Sequence, residues 1–157
     1  MGPTARLTLR AATALDAAPI RDLLERNQLP TSDLASARAE FIVACESARI
    51  IGAGALERCG DCALLRSIAV ERQWRGSGAG RLIVEELERR ASAQGLRELI
   101  LLTLTAREFF ARLGYRAKDR ARVPAAVLDS GEFRSLCPAS AVCMAKTLAS
   151  AAKTARS

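Results

Sequence analysis

Apolar residues along this chain follow two spacings that exchange places several times. Leu7 to Arg10 has the character of a short strand. A helix is then expected from near Thr13 or Asp16, with Leu15, Ala18, Leu23 and Leu24 as its apolar face. Asn27 to Asp33 reads as a loop, because Pro30 precedes a Ser32/Asp33 pair able to cap a second short helix. Three strands are predicted next: Phe41 to Cys45, Ile50 to Leu56 with Gly52 and Gly54 interrupting it, and Ala63 to Val70. Their connectors, Ser47-Ala48-Arg49 and Cys59-Gly60-Asp61, are short enough for hairpins, so an antiparallel meander is expected. The period then changes to that of a helix. From Gly78 to Ala93, Leu82, Ile83, Leu87 and Ala91 line one face, Glu85, Glu88, Arg89 and Arg90 point away, and Gly95 closes the segment. Leu99 to Leu104 is a buried strand. Phe109, Phe110 and Leu113 stand on a short helix that Gly114 ends, and Val142 to Leu148 is the last strand. No repeat or linker breaks the series. The expectation is one α/β domain over residues 1–148, with about seven strands, and a flexible tail over 149–157.

Composition narrows the chemistry more than the fold. Among 157 residues there is no histidine, which removes imidazole bases, His-containing triads and His-rich metal sites. The five cysteines are an odd number, and no charged-then-apolar export signal opens the sequence, so a reducing cytoplasm is the expected compartment. No apolar run reaches membrane-spanning length, and no membrane partner is expected. The formal charge of +7 is unevenly placed, with 12 basic against 6 acidic residues between positions 72 and 122. That excess fits a solvated basic face or an anionic partner. Aromatic residues make up only 4%, too few for base-stacking platforms, so nucleic acid is not the expected partner.

The residues from Arg72 to Arg81 carry the clearest chemistry. Gly76, Gly78 and Gly80 remove side chains where a strand turns into a helix, so backbone N–H groups can face one concave space. The helix N-terminus adds partial positive charge, and Arg75 and Arg81 flank it. This is a phosphate-binding arrangement. It is neither a Walker loop nor the dinucleotide G-x-G-x-x-G spacing.

Gln73-x-x-Gly76-x-Gly78, placed after the strand Leu64–Val70 and before a long helix, resembles the acetyl-CoA signature of the GNAT acetyltransferase superfamily. Phe109 to Tyr115 is similar to that superfamily's aromatic-x-x-x-Gly-aromatic helix end. The resemblance implies a GNAT-like mixed, mostly antiparallel sheet of about seven strands flanked by about four helices, with acetyl-CoA as co-substrate. By the same resemblance the backbone of Arg75, Gly76, Ser77, Gly78, Ala79, Gly80 and Arg81 would hold the pyrophosphate. Ile68, Ala69 and Val70 would pair with the pantetheine arm, and one of their N–H groups would polarise the acetyl carbonyl. Phe110 stands where many GNAT enzymes place a tyrosine that protonates the departing thiolate. Water, or unassisted departure of the thiolate, would have to replace it. Superfamily members are often dimers, which makes a homodimer a candidate assembly. More narrowly, Leu29-Pro30-Thr31-x-Asp33-Leu34, Leu65-Arg66-Ser67 and Glu132-Phe133-x-x-Leu136-Cys137-Pro138 resemble the arsenic-resistance-associated N-acetyltransferases and the short amino-acid N-acetyltransferases. They imply an α-amino-acid-like acceptor amine, either glutamate or a glutamate mimic carrying phosphorus or arsenic, in arsenic or antibiotic resistance.

On the acceptor side the residues leave alternatives open. Arg66 shares a strand face with Leu64 and Ile68 by period-two alternation, so it needs a partner, which could be a substrate carboxylate or a structural ion pair. Glu132 could pair with Arg66 or act as a base through water. Glu46 and Glu57 are expected as solvated strand ends that could also serve as bases, and Thr31 is a candidate acceptor contact. Cys45 and Cys143 read as small buried hydrophobes, and Cys59-x-x-Cys62 lacks the second pair that zinc requires, so no metal is expected. Cys137 lies in the motif expected to line the acceptor. The competing class is a CoA-binding or basic nucleic-acid-binding module without turnover, whose nucleic-acid affinity would collapse with salt.

Overall fold

The computed structural model describes residues 7–29, 31, 39–128 and 141–148. In chain order the strands are β1 (Thr8–Ala11), β2 (Ala39–Glu46), β3 (Arg49–Cys59), β4 (Cys62–Val70), β5 (Glu98–Thr103), β6 (Arg116–Ala117) and β7 (Val142–Thr147). The helices are α1 (Ala17–Arg26), α2 (Ala79–Ala93), α3 (Arg107–Arg112) and α4 (Ala125–Leu128). The strands form one seven-stranded sheet in the order β1-β2-β3-β4-β5-β7-β6. Thr8–Ala11 runs antiparallel to Ile42–Cys45, and β5 pairs antiparallel with β7 along its whole length. The β4–β5 pair is parallel, with Cys62–Leu64 opposite Glu98–Ile100. This is the mixed, mostly antiparallel sheet that the sequence implied. The second short helix expected after Pro30, and the tail over 149–157, lie outside the described residues.

Contacts divide the chain into two compact units, one from residues 1–56 and 67–87 and the other from 57–66 and 88–157. In the first unit Ile20, Leu23 and Leu24 of α1 pack with Val43, Cys45, Ala53 and Ala69. The i, i+3, i+4 spacing puts those three α1 side chains on one stripe, and burying each contributes about 1.5–3 kcal/mol. The expected face was partly wrong. Leu15 falls in the 3-10 turn Ala14–Asp16 ahead of α1 and is 90% exposed, and Ala18 faces solvent, so Ile20 takes the place assigned to them. On α2, likewise, Ile83, Val84, Leu87 and Ala91 are buried while Leu82 is exposed. Gly52 and Gly54 do not interrupt β3. A Cβ at Gly54 would stand 2.7 Å from both Ile68 Cδ1 and Ile83 Cγ2, and one at Gly52 2.8 Å from Ile83 Cδ1. The glycines let α2 lie close on an unbroken strand.

The first unit also holds a small acid-sensitive clasp. Arg10 donates to both carboxylate oxygens of Asp16, at 2.7 and 3.1 Å, and the Thr13 N–H donates to Asp16 at 2.7 Å. The Arg10 guanidinium first, and the Thr13 N–H second, hold the Asp16 carboxyl well below the usual carboxylate range. This stabilisation is complete above the ordinary aspartate value near ~3.9 and is lost as pH falls towards the lowered one. Asp16→Asn is therefore expected to melt below the parent protein at pH 7, with the gap narrowing steadily below pH 4. A gap of equal size at pH 3 and pH 7 would show that the carboxylate contributes nothing through its charge.

In the second unit Cys59, Cys62, Leu64, Ile100, Val123, Val127 and Cys143 form the core. Lys146 on β7 donates to both oxygens of Glu88 at 3.2 and 3.1 Å and to the Leu113 carbonyl at 2.8 Å. Glu88 was expected to face away into solvent. It is instead the acceptor that fastens the end of α2 to β7.

Candidate functional site

The Gly-rich segment belongs to the first unit and is built by local backbone bonds. The Glu71 N–H donates to the Ile51 carbonyl at 2.8 Å, which carries the chain out of β4 along β3. A 3-10 turn over Arg72–Trp74 follows, closed by Trp74 N–H to Glu71 O (2.8 Å) and Arg75 N–H to Arg72 O (3.1 Å). Trp74 is buried and anchors the turn. Gly76 and Gly78 then take left-handed φ values of 82° and 94°, and a Cβ built on either would meet nothing within 4 Å. The backbone angle, rather than lack of room, therefore demands glycine, and the space beside both residues is open.

α2 starts at Ala79, and its first bond runs from the Leu82 N–H to the Gly78 carbonyl at 3.1 Å. The N–H groups of Gly78, Ala79, Gly80 and Arg81 are thus the four that a helix leaves without an intrahelical acceptor. Ser77 Oγ approaches the Ala79 N–H at 3.4 Å, at the long limit of a hydrogen bond. The expected cradle is corrected in one respect. The Arg75 and Ser77 N–H groups turn back onto Arg72 and Trp74, so Arg75 to Arg81 is not an unbroken row of donors. Around this helix end stand Arg75, whose Nη2 donates to Asn27 Oδ1 at 2.6 Å, and Arg81, paired with Glu85 at 2.9 Å on the solvent side. With its amide oxygen turned to Arg49, Gln73 accepts from both Nη atoms at 3.3 and 3.2 Å. Ile68 and Val70 are half-buried and Ala69 is buried.

Ser67, in the middle of β4, has a left-handed φ of 59°. Such an angle kinks a strand and breaks its two-residue alternation. Ile68 accordingly packs beside Gly54, on the side where Ile83 also packs, whereas Leu64 packs with Val123, Val127 and Cys143.

In the second unit Arg66 Nη1 donates to Glu57 Oε1 at 2.8 Å, and the Arg66 side chain is fully closed off while that of Glu57 is 14% exposed. Of the two partners considered for Arg66, the ion pair is present, and Glu57 is not a solvated strand end because β3 continues to Cys59. Burial, with Glu57 nearby, pushes the Cys59 thiol up to about 11. Burial and the adjacent Asp61 carboxylate do the same to Cys62, and burial raises Cys143 as well. Such thiols carry little thiolate at neutral pH. Among the described residues no three Cys, Asp or Glu side chains are grouped as metal ligands.

Phe110 is buried and meets Tyr115 edge to face at 5.7 Å. The Tyr115 hydroxyl donates to Glu88 at 2.9 Å, and burial, with Glu88 beside it, raises its pKa far above the ordinary phenol. Its proton is committed to Glu88. Thr31 is half-buried, and Glu132 and Cys137 lie outside the described residues. Among the ion-pairing residues that the sequence does not reveal are Glu57, whose signal is an apolar strand continuing past it, and Glu88, for which no local signal exists.

The chain belongs to the GNAT family: residues 37–117 match the model of the acetyltransferase (GNAT) domain. It is 36% identical to an uncharacterized N-acetyltransferase of Chlorobaculum tepidum, over 54% of this chain and 55% of that one. With an amino-acid acetyltransferase of Pseudomonas fluorescens it shares 34% identity over 55% of this chain and 21% of that one. The chain thus spans about half of the first relative and a fifth of the second. The Mycobacterium tuberculosis protein Rv2747, solved in complex with CoA, superposes with a TM-score of 0.78 at 28% identity, covering 90% of this chain and 99% of that one.

Proposed function

We propose that this chain is an acetyl-CoA-dependent N-acetyltransferase acting on an α-amino-acid-like amine. One observation carries the reading: two left-handed glycines with open space beside them, at the N-terminus of a fifteen-residue helix in a GNAT-family chain. A pyrophosphate fits there, because backbone N–H groups and the helix end supply donors and positive potential where no Cβ intrudes. Acetyl-CoA supplies the acetyl group as a thioester. In this reading the Gly78–Arg81 N–H groups take the pyrophosphate and Ile68–Val70 run beside the pantetheine arm, one N–H polarising the acetyl carbonyl.

The amine attacks directly, forming a C–N bond as the C–S bond breaks, and its surplus proton passes to water or a carboxylate. Holding both reactants in one orientation is the main contribution. Glu132 is our candidate for the carboxylate, acting through water, with Thr31 and Cys137 beside the acceptor. Arg66, closed off and paired with Glu57, serves there as a structural ion pair. A cysteine nucleophile is disfavoured by the raised Cys59, Cys62 and Cys143 thiols.

Similarity to an amino-acid acetyltransferase supports an amino-acid acceptor, for which glutamate is our candidate, and the Leu29-Pro30-Thr31 and Glu132–Pro138 motifs support a phosphorus- or arsenic-bearing glutamate mimic. The test is release of free CoA from acetyl-CoA by purified protein with glutamate, with each mimic and with simple amines. Release with a mimic alone identifies a resistance enzyme, and release with glutamate alone a biosynthetic one. Acetyl-CoA binding without release for any of these acceptors would overturn the acceptor assignment and leave a CoA-binding module, or transfer to another acceptor, as the reading.

A further inference from the structure

α1 ends in a way that ties it to the Gly-rich loop. Its last residue, Arg26, donates to Glu71 at 2.8 Å, and the residue that caps it, Asn27, accepts from Arg75 at 2.6 Å. Asn27 is itself fixed at both ends. Its Nδ2 donates to the Leu23 carbonyl at 2.9 Å, and its backbone N–H to the Leu23 and Leu24 carbonyls. The next two residues complete a Schellman turn, with Gln28 N–H on Glu25 O and Leu29 N–H on Leu24 O, both at 3.0 Å. That turn puts Gln28 at a φ of 59°, a place that glycine usually fills. The helix end is therefore a rigid mount, held in a conformation that costs something to keep. The Asn27 side-chain oxygen, on that mount, is engaged by Arg75.

An exposed arginine loses considerable side-chain entropy when it is ordered on an anion. A guanidinium has five N–H donors, and the contact to Asn27 engages only one Nη, so the group can be oriented and still offer donors to a phosphate. We propose that Asn27 is a positioning residue that pre-orients Arg75 towards the phosphates of acetyl-CoA. The proposal rests on the reading of the loop as the acetyl-CoA site and adds to it a residue from a different element. Its consequence is that part of the cofactor affinity is set at the end of α1, some fifty positions before the loop.

The test is a double-mutant cycle read by calorimetric titration of acetyl-CoA. Asn27→Ala is expected to weaken binding roughly three- to tenfold, the range for losing the pre-ordering of one long side chain. The Asn27→Ala/Arg75→Ala double variant should bind no more weakly than Arg75→Ala alone. Asn27→Asp separates positioning from capping: its carboxylate still accepts from Arg75 but cannot donate to Leu23. It should keep the parent affinity within about twofold, even if its melting temperature falls with the lost cap. Where turnover is measured, the change should appear in KM for acetyl-CoA with kcat unchanged. Multiplying effects of the two alanine substitutions, or an Asn27→Asp variant as weak as Asn27→Ala, would overturn the proposal while leaving the cofactor reading intact. Absence of acetyl-CoA binding by the parent protein would overturn both.

Discussion

Glu57→Ala is expected to be among the most destabilising single substitutions in this chain. It removes the carboxylate 2.8 Å from Arg66 Nη1 and leaves a guanidinium whose side chain has no exposed surface. Breaking a buried pair from one side costs more than the pair contributes, because the remaining charge keeps its desolvation penalty and loses part of what compensates it. The expected loss is on the order of 3 kcal/mol. For a chain of this length that corresponds to a melting temperature lower by roughly 6–12 °C. The reverse change, Arg66→Met, should be milder, since Glu57 retains some access to water and a methionine fills much of the vacated volume. Thermal melts of the two variants at neutral pH decide the matter. Equal melting temperatures for Glu57→Ala and the parent would mean that the Glu57 carboxylate contributes nothing to compensating Arg66.

The same pair shows where sequence reasoning reached and where it stopped. That Arg66 needs a partner follows from its place on an apolar strand, between Leu64 and Ile68 in the two-residue alternation. Glu57 is not foreseen as a partner because the apolar pattern of β3 breaks at Leu56. Stopping the strand there made Glu57 look solvated, although the apolar run resumes at Cys59. Period counting also misplaced Leu15 and Leu82, since it records how often an apolar residue recurs but not where the first helical turn begins. β6 leaves no trace in the apolar pattern, being two exposed residues paired with Met144 and Ala145 on β7. Glu88 is the extreme case. Its partners Tyr115 and Lys146 lie 27 and 58 positions further on, and a salt-bridged glutamate on a helix has the same local pattern as a solvated one. The Gly-rich loop was legible for the opposite reason. Left-handed glycines and a helix start are properties of consecutive residues, so their geometry is written locally.

That local geometry makes Gly78 the position where one methyl group should matter most for function. Gly78 has a φ of 94°, which an L side chain adopts only with strain of about 1–3 kcal/mol, and its Cβ would project into the open space at the mouth of α2. Gly78→Ala therefore acts twice. It pushes the backbone towards angles that turn the N–H groups of residues 78–81 off their common target, and it puts a methyl group where a pyrophosphate must approach. Each N–H to a charged phosphate contributes about 1.5–3 kcal/mol, so losing one or two of them weakens acetyl-CoA binding by roughly two orders of magnitude. Gly60→Ala supplies the control, because Gly60 also has a left-handed φ, 71°, and open space around it, but sits in the β3–β4 turn. Both variants should lose comparable stability in a thermal melt, and only Gly78→Ala should lose the ligand in a titration with acetyl-CoA. If the two bound acetyl-CoA equally well, the strain at Gly78 would serve the turn alone and the phosphate would have to be held elsewhere. A large loss confined to Gly78→Ala would instead tie the left-handed backbone at the start of α2 directly to recognition of the anion.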